Sequence, residues 1–153
     1  MTADLDRYLA FSLGQEEYAI PLLKVREVIA VPEVTPTPYA PSHFLGIFNL
    51  RGQVISIVDL RLKLSIKAKD NAETTVIILD LGDSVLGLVV DAVNSVINPS
   101  KEHLSEPPNM ESTKHMGFVT KVYRKDDNLI LILDIEKILS KDERNHIAKP
   151  KAA

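Results

Sequence analysis

The sequence predicts an all-β fold built from two copies of a small barrel, and three observations predict it. The apolar segments are short and rich in β-branched residues. Turn-forming pairs such as Arg51-Gly52, Gly82-Asp83 and Asp126-Asp127-Asn128 separate them. The second half of the chain also repeats the first, in order.

Tyr8 to Leu13 alternates, with Leu9, Phe11 and Leu13 on one face. Gly14-Gln15-Glu16 reads as a turn, and Glu17 to Ile20 as the returning strand. Further strands are expected at 25–31, 45–50, 54–59, 75–81, 85–90, 94–97, 118–123 and 129–133. Helices should be few and short. Asp134 can cap a turn carrying apolar residues at Ile135, Ile138 and Leu139, and Pro21 can open a helical turn ending at Lys24. Pro32 to Pro41 holds four prolines and is expected to be an extended connector.

A shift of 68 residues lays Tyr8–Gly14 over Val76–Gly82, and Val25, Val28 and Ile29 over Val93, Val96 and Ile97. A shift of 71 lays Leu45-Gly46-Ile47-Phe48 over Met116-Gly117-Phe118-Val119, and a shift of 75 lays Val54–Leu60 over Leu129–Ile135. The slowly growing shift is what loop insertions produce. One domain is expected at 7–140, with pseudo-repeats at 7–66 and 74–140 and a fraying polar tail at 141–153. Each copy is close to the lower size limit for independent folding, so the two should share an apolar interface. Closing each sheet into a barrel would remove its exposed edges.

The repeat also separates fold from function. Positions that recur in both halves serve the fold, whereas Arg26 and Glu27 are replaced by Asn94 and Ser95. Asn49-Leu50-Arg51-Gly52 has no counterpart after Phe118-Val119. The first half therefore carries a charged signature that the fold does not require.

Composition narrows the function. The net charge is −3 with no basic cluster, which argues against nucleic acid and anionic membrane as partners. Cysteine is absent, which excludes disulfides and thiolate zinc sites. The acidic N-terminus and the short apolar runs predict a cytoplasmic protein without membrane insertion. His43, His103, His115 and His146 lack metal-ligand spacing and read as surface residues. There is no phosphate-binding glycine loop and no serine nucleophile elbow. No catalytic residue, metal or cofactor is expected, and an adaptor is the reading that remains.

Two segments stand out, Tyr18–Ile29 and Gly46–Ile55. With Asp59-Leu60-Arg61 and Val89-Val90-Asp91-Ala92-Val93, they make the chain resemble the CheW family of bacterial chemotaxis couplers from about Tyr8 to Ser140. Ser56 stands where that family often has proline. The resemblance implies two intertwined five-stranded SH3-like barrels. It implies a role in bridging transmembrane chemoreceptors to the histidine kinase CheA, as a free monomer recruited to receptor arrays. An isolated regulatory domain of such a kinase, or a coupler of a non-flagellar pathway, would look similar.

In the resembling family a receptor's helical tip docks between the barrels. Carried over, the receptor-binding residues are Val25, Glu27, Gly46 and Arg51 in the first half and Val93 and Val96 in the second. The valines would line an apolar slot, and Gly46 would let a helix approach the backbone. Arg51 would hold a carboxylate or carbonyls, and Glu27 would face a basic partner residue or orient Arg51. The kinase-binding residues remain unassigned.

Overall fold

A computed structural model describes residues 7–38, 40–67, 71–82, 84–106 and 118–139. The polar tail 141–153, His115, His146 and the Met116-Gly117 pair lie outside the described residues. Among the described residues eleven strands are present: β1 (Tyr8–Leu13), β2 (Glu16–Pro21), β3 (Val25–Ala30), β4 (Phe44–Leu50), β5 (Gln53–Asp59), β6 (Thr75–Asp80), β7 (Val85–Val90), β8 (Ala92–Ile97), β9 (Leu104–Ser105), β10 (Val119–Lys125) and β11 (Asn128–Leu133). Two one-turn helices follow equivalent strands, α1 (Leu60–Lys63) after β5 and α2 (Ile135–Ile138) after β11. Each is capped by an aspartate: the side chain of Asp59 accepts from the Arg61 amide, and that of Asp134 from the Glu136 amide. The expected turn after Pro21 is a single 3-10 turn at Leu22–Lys24. A second 3-10 turn at Lys101–His103, together with β9, was not foreseen.

The strands form two sheets, with orders β8-β1-β2-β11-β10-β9 and β3-β6-β7-β5-β4. The halves are interleaved. The β1–β2 hairpin sits between β8 and β11 of the second half, and the β6–β7 hairpin sits between β3 and β5 of the first. The physical reason lies in the hairpins, which are apolar on both faces. In β6, Ile77 and Leu79 point one way and Val76 and Ile78 the other, and all four are buried. A hairpin of this kind needs cover on both sides.

One face of each sheet meets the other sheet. Phe11, Leu13 and Ile20 from one and Ile77, Leu79 and Leu88 from the other belong to a single apolar cluster. Burying each such side chain contributes roughly 1.5–3 kcal/mol. The opposite faces make two smaller cores, around Ile55, Ile57 and Ile78 and around Ala10, Ala19 and Ile130. The shared interface expected from the size of each copy is thus the main core.

Two expectations are corrected. Neither sheet is closed by its backbone, since the first and last strands of each are not hydrogen-bonded to each other. The repeat also runs differently through β4. Phe44 pairs with Val58 as Val119 pairs with Leu133, and a bulge follows each of Phe44 and Val119. The structural shift there is therefore 75 and not 71, so the match of Gly46 to Gly117 was a coincidence of glycines. At this shift the Arg51-Gly52 tip does have a counterpart, Asp126-Asp127, with its charge reversed.

Candidate functional site

Arg51 and Gly52 form the two-residue loop between β4 and β5, with φ of 50° and 88°. Positive φ at both positions matches the twist of a tight hairpin but suits glycine, asparagine or aspartate. An arginine there is held in a sparsely populated conformation, at a cost on the order of 1–2 kcal/mol. Asn49 supports the loop, accepting from the Gly52 amide at 2.8 Å. The equivalent Asp126 has φ of 56° and is of a residue type the turn favours.

The Arg51 guanidinium donates to the Glu27 carboxylate on β3, and Arg26 donates to Gln53 Oε1 at 3.2 Å. Since β3 and β4 are the two ends of one sheet, the Glu27–Arg51 pair, at the tip of the β4–β5 hairpin, joins edges that the backbone leaves apart, and the Arg26–Gln53 bond ties β3 to β5. The Arg51 side chain is still 68% exposed, against 29% for Glu27. Such a pair is worth under about 1 kcal/mol to stability. Their chain neighbours Val28 and Val54 are exposed as well. On the other sheet Asn94, equivalent to Arg26, turns instead to Ser12 Oγ at 3.0 Å and Glu17 Oε2 at 2.8 Å.

The other four expected site residues separate into three settings. Val25 and Val93 occupy equivalent positions at the starts of β3 and β8, and both pack, half-buried, against the apolar cluster shared by the sheets. Val96, on β8, is 51% exposed. Gly46 is buried. A Cβ on Gly46, where φ is 144°, would stand 2.0 Å from the Thr35 carbonyl oxygen. Thr35 bridges to Ile47 by two backbone hydrogen bonds of 2.8 Å, and Gly46 makes room for that bridge. A cleft of about 810 Å3 opens between the two units. Ser12, Asn71, Glu73 and Asn94 are among the residues that line it, and none of the six expected site residues does.

A buried charge cluster was missed. Arg61 is 3% exposed and binds Asp59 through Nε and Nη2, both at 2.9 Å, and Asp91 Oδ1 through Nη1 at 3.1 Å. Asp91 Oδ2 accepts in turn from the Gly14 amide at 2.6 Å. The signal was present in the sequence, as charges interrupting the apolar runs Ile57–Leu62 and Leu88–Val93. Among the described residues no cluster of three or more acidic or histidine side chains could hold a metal ion. His43 is half-buried with its ring against Phe44, not a surface residue as expected, and His103 contacts Ser100 and Tyr123.

Residues 7–143 match the family model of the CheW-like domain. The chain belongs to the CheW-like family. It is 36% identical over 137 residues to a chemotaxis protein CheW of Klebsiella aerogenes, covering 89% of this chain and 82% of that protein. It is 33% identical, with the same coverage of each chain, to a chemotaxis protein CheW of Helicobacter pylori. The crystal structure of the scaffolding protein TtCheW from Thermoanaerobacter tengcongensis superposes with a TM-score of 0.83 at 29% identity, covering 94% of this chain and 99% of that one. The two-sheet SH3-like architecture is thus that of a CheW scaffold. No helix among the described residues is long and apolar enough to cross a membrane.

Proposed function

We propose that the chain is a non-enzymatic chemotaxis adaptor that couples the cytoplasmic tips of transmembrane chemoreceptors to the histidine kinase CheA. Membership of the CheW-like family over nearly the whole chain supports this reading. The observation that carries the site is Arg51, an exposed arginine kept in a turn conformation that disfavours it and oriented by Glu27. Strain of this kind is retained where a side chain has a use beyond the fold.

Arg51 presents the donors of its outer face to a carboxylate or to helix-terminal carbonyls. Glu27 both orients it and offers an acceptor to a basic residue. Val25, Val93 and Val96 supply apolar contact, as anchors of a helix laid against the unit junction. Gly46 acts from beneath, by seating Thr35. The protein works in the cytoplasm as a free monomer and is recruited to membrane arrays through its two partners. It binds no cofactor.

Pull-down with a purified receptor cytoplasmic fragment and the kinase tests the reading. Wild type binds both, and Arg51→Ala weakens receptor binding by about 1–3 kcal/mol, as for an interface anchor. Because the Glu27 pair contributes little to stability, the variant melts within a few degrees of wild type. Failure of the wild-type protein to bind either partner would remove the proposal.

A further inference from the structure

Asp91 is the single residue between β7, in one sheet, and β8, in the other. It is where the second half of the chain crosses between units. Its backbone amide donates to the Ser12 carbonyl at 3.0 Å, and its carboxylate takes the Gly14 amide. Both partners lie at the β1–β2 turn, in the unit that β8 enters. The other carboxylate oxygen takes Arg61, anchored on α1 of the unit that β7 leaves. Arg61 is itself fixed by two hydrogen bonds to Asp59, the cap of α1, and its carbonyl accepts from the Ile66 amide at 2.7 Å.

The equivalent crossing in the first half is built differently. There the chain passes from β2 to β3 through Leu22–Lys24, and Leu23 occupies the position of Asp91. Glu136 stands where Arg61 does and meets Lys24 at 3.7 Å, with the Glu136 side chain 57% and the Lys24 side chain 40% exposed. The two crossings therefore differ in rigidity. Each has a backbone hydrogen bond, Asp91 to Ser12 or Leu22 to Arg7, but the side-chain tie is a buried, multiply bonded guanidinium in one and a solvated ion pair in the other.

We propose that Arg61 and Asp91 are positioning residues that fix the orientation of β8, and with it Val93 and Val96, relative to the unit that carries Glu27 and Arg51. The inference rests on the receptor-binding reading above. Bidentate geometry matters because a guanidinium held at both ends of its fork cannot pivot, whereas an ammonium can. Asp91→Asn keeps an acceptor for Gly14 and removes the charge facing Arg61. Arg61→Lys keeps the charge and removes the fork.

The test combines amide exchange with two binding measurements on the full chain. In both variants, exchange quickens in β8 and at the β1–β2 turn, while β5, β6 and β7 keep wild-type protection. Affinity for the receptor fragment falls about tenfold, while binding of the kinase stays within twofold of wild type. Lys24→Ala, at the solvated crossing, leaves both affinities unchanged.

Uniform loss of protection across both sheets, equal loss of both partners, or failure of both variants to fold would overturn the proposal, because the cluster would then serve the whole fold. Unchanged exchange in β8 would overturn it from the other side. If wild type binds no receptor fragment, the receptor reading fails on its own, and the exchange pattern still decides whether the cluster orients β8.

Discussion

Gly46→Ala separates a structural glycine from one that admits a partner. The substituted Cβ would lie 2.0 Å from the Thr35 carbonyl oxygen and 2.6 Å from its carbonyl carbon, so Thr35 must move. Both atoms are backbone and cannot swing aside as a side chain would. Moving them breaks the two Thr35–Ile47 hydrogen bonds, a loss of about 1–3 kcal/mol at about 0.5–1.5 each. Holding alanine at φ of 144° adds on the order of 1–3 kcal/mol. The total of about 2–6 kcal/mol corresponds to a fall in Tm of roughly 5–20 °C for a chain of this size. Gly87→Ala is the internal comparison. A Cβ there meets side chains and no backbone, with Ile57 Cδ1 at 2.5 Å, Val76 Cγ1 at 2.9 Å and Ile78 Cδ1 at 3.4 Å, and side chains yield more readily than a carbonyl. It should cost less than Gly46→Ala. Thermal and urea unfolding of the three proteins provide the assay. A Gly46→Ala protein that melts within about 2 °C of wild type but no longer binds receptor would refute the reasoning and return Gly46 to the contact surface.

Two further predictions follow from particular side chains. Burial, with a smaller contribution from the Glu16 charge, raises the Tyr18 pKa above its ordinary 10.0; the stability this confers is complete below pH 10, where both states hold the proton, and is lost as pH rises through the raised folded value. Urea titrations at pH 8 and pH 11 should therefore show a smaller loss for Tyr18→Phe than for wild type, and equal losses would mean that the hydroxyl ionises as freely folded as unfolded. At the open mouth of the other unit, Ser95 and Asp126 occupy the positions of Glu27 and Arg51. Ser95→Glu combined with Asp126→Arg should be more stable than the sum of the single variants by about 0.5–1 kcal/mol, and a coupling of zero in the double-mutant cycle would deny that the two mouths share a geometry.

Much of the fold was legible because alternation is a local signal. Leu9, Phe11 and Leu13 do share a face, and every strand expected from β-branched runs is present within a residue or two of its expected ends. What was not legible from the pattern is which sheet each hairpin joins. The parallel contacts of β2 with β11 and of β7 with β5 link residues far apart in the chain, and no local pattern encodes them. The family resemblance supplied the intertwining instead. The β4 register was misread because two glycines matched by chance, while the bulge that sets the true register leaves no mark in composition. At the site, the pairing of Glu27 with Arg51 was anticipated as one of two options. The Arg61 cluster was overlooked because its residues served only as a family motif.

The pseudo-repeat explains why charge could be redistributed without harm to the fold. At each equivalent position the geometry persists while the chemistry changes. A tight turn needs positive φ, which Arg51 and Asp126 both adopt. A one-turn helix needs an aspartate cap, which Asp59 and Asp134 both supply. The residue two places further on is buried Arg61 in one half and exposed Glu136 in the other, so the cap does not dictate it. Opposite charges at positions of matching turn and cap geometry cannot be explained by backbone requirements. The charge itself answers to something outside the local turn: Asp91 at the crossing for Arg61, and for Arg51 the Glu27 carboxylate on β3 together with the receptor contact proposed above. Exposure distinguishes the two destinations. An arginine at 3% exposure can act only inside the molecule, whereas a guanidinium whose side chain is 68% exposed retains donors that the protein's own carboxylate does not occupy.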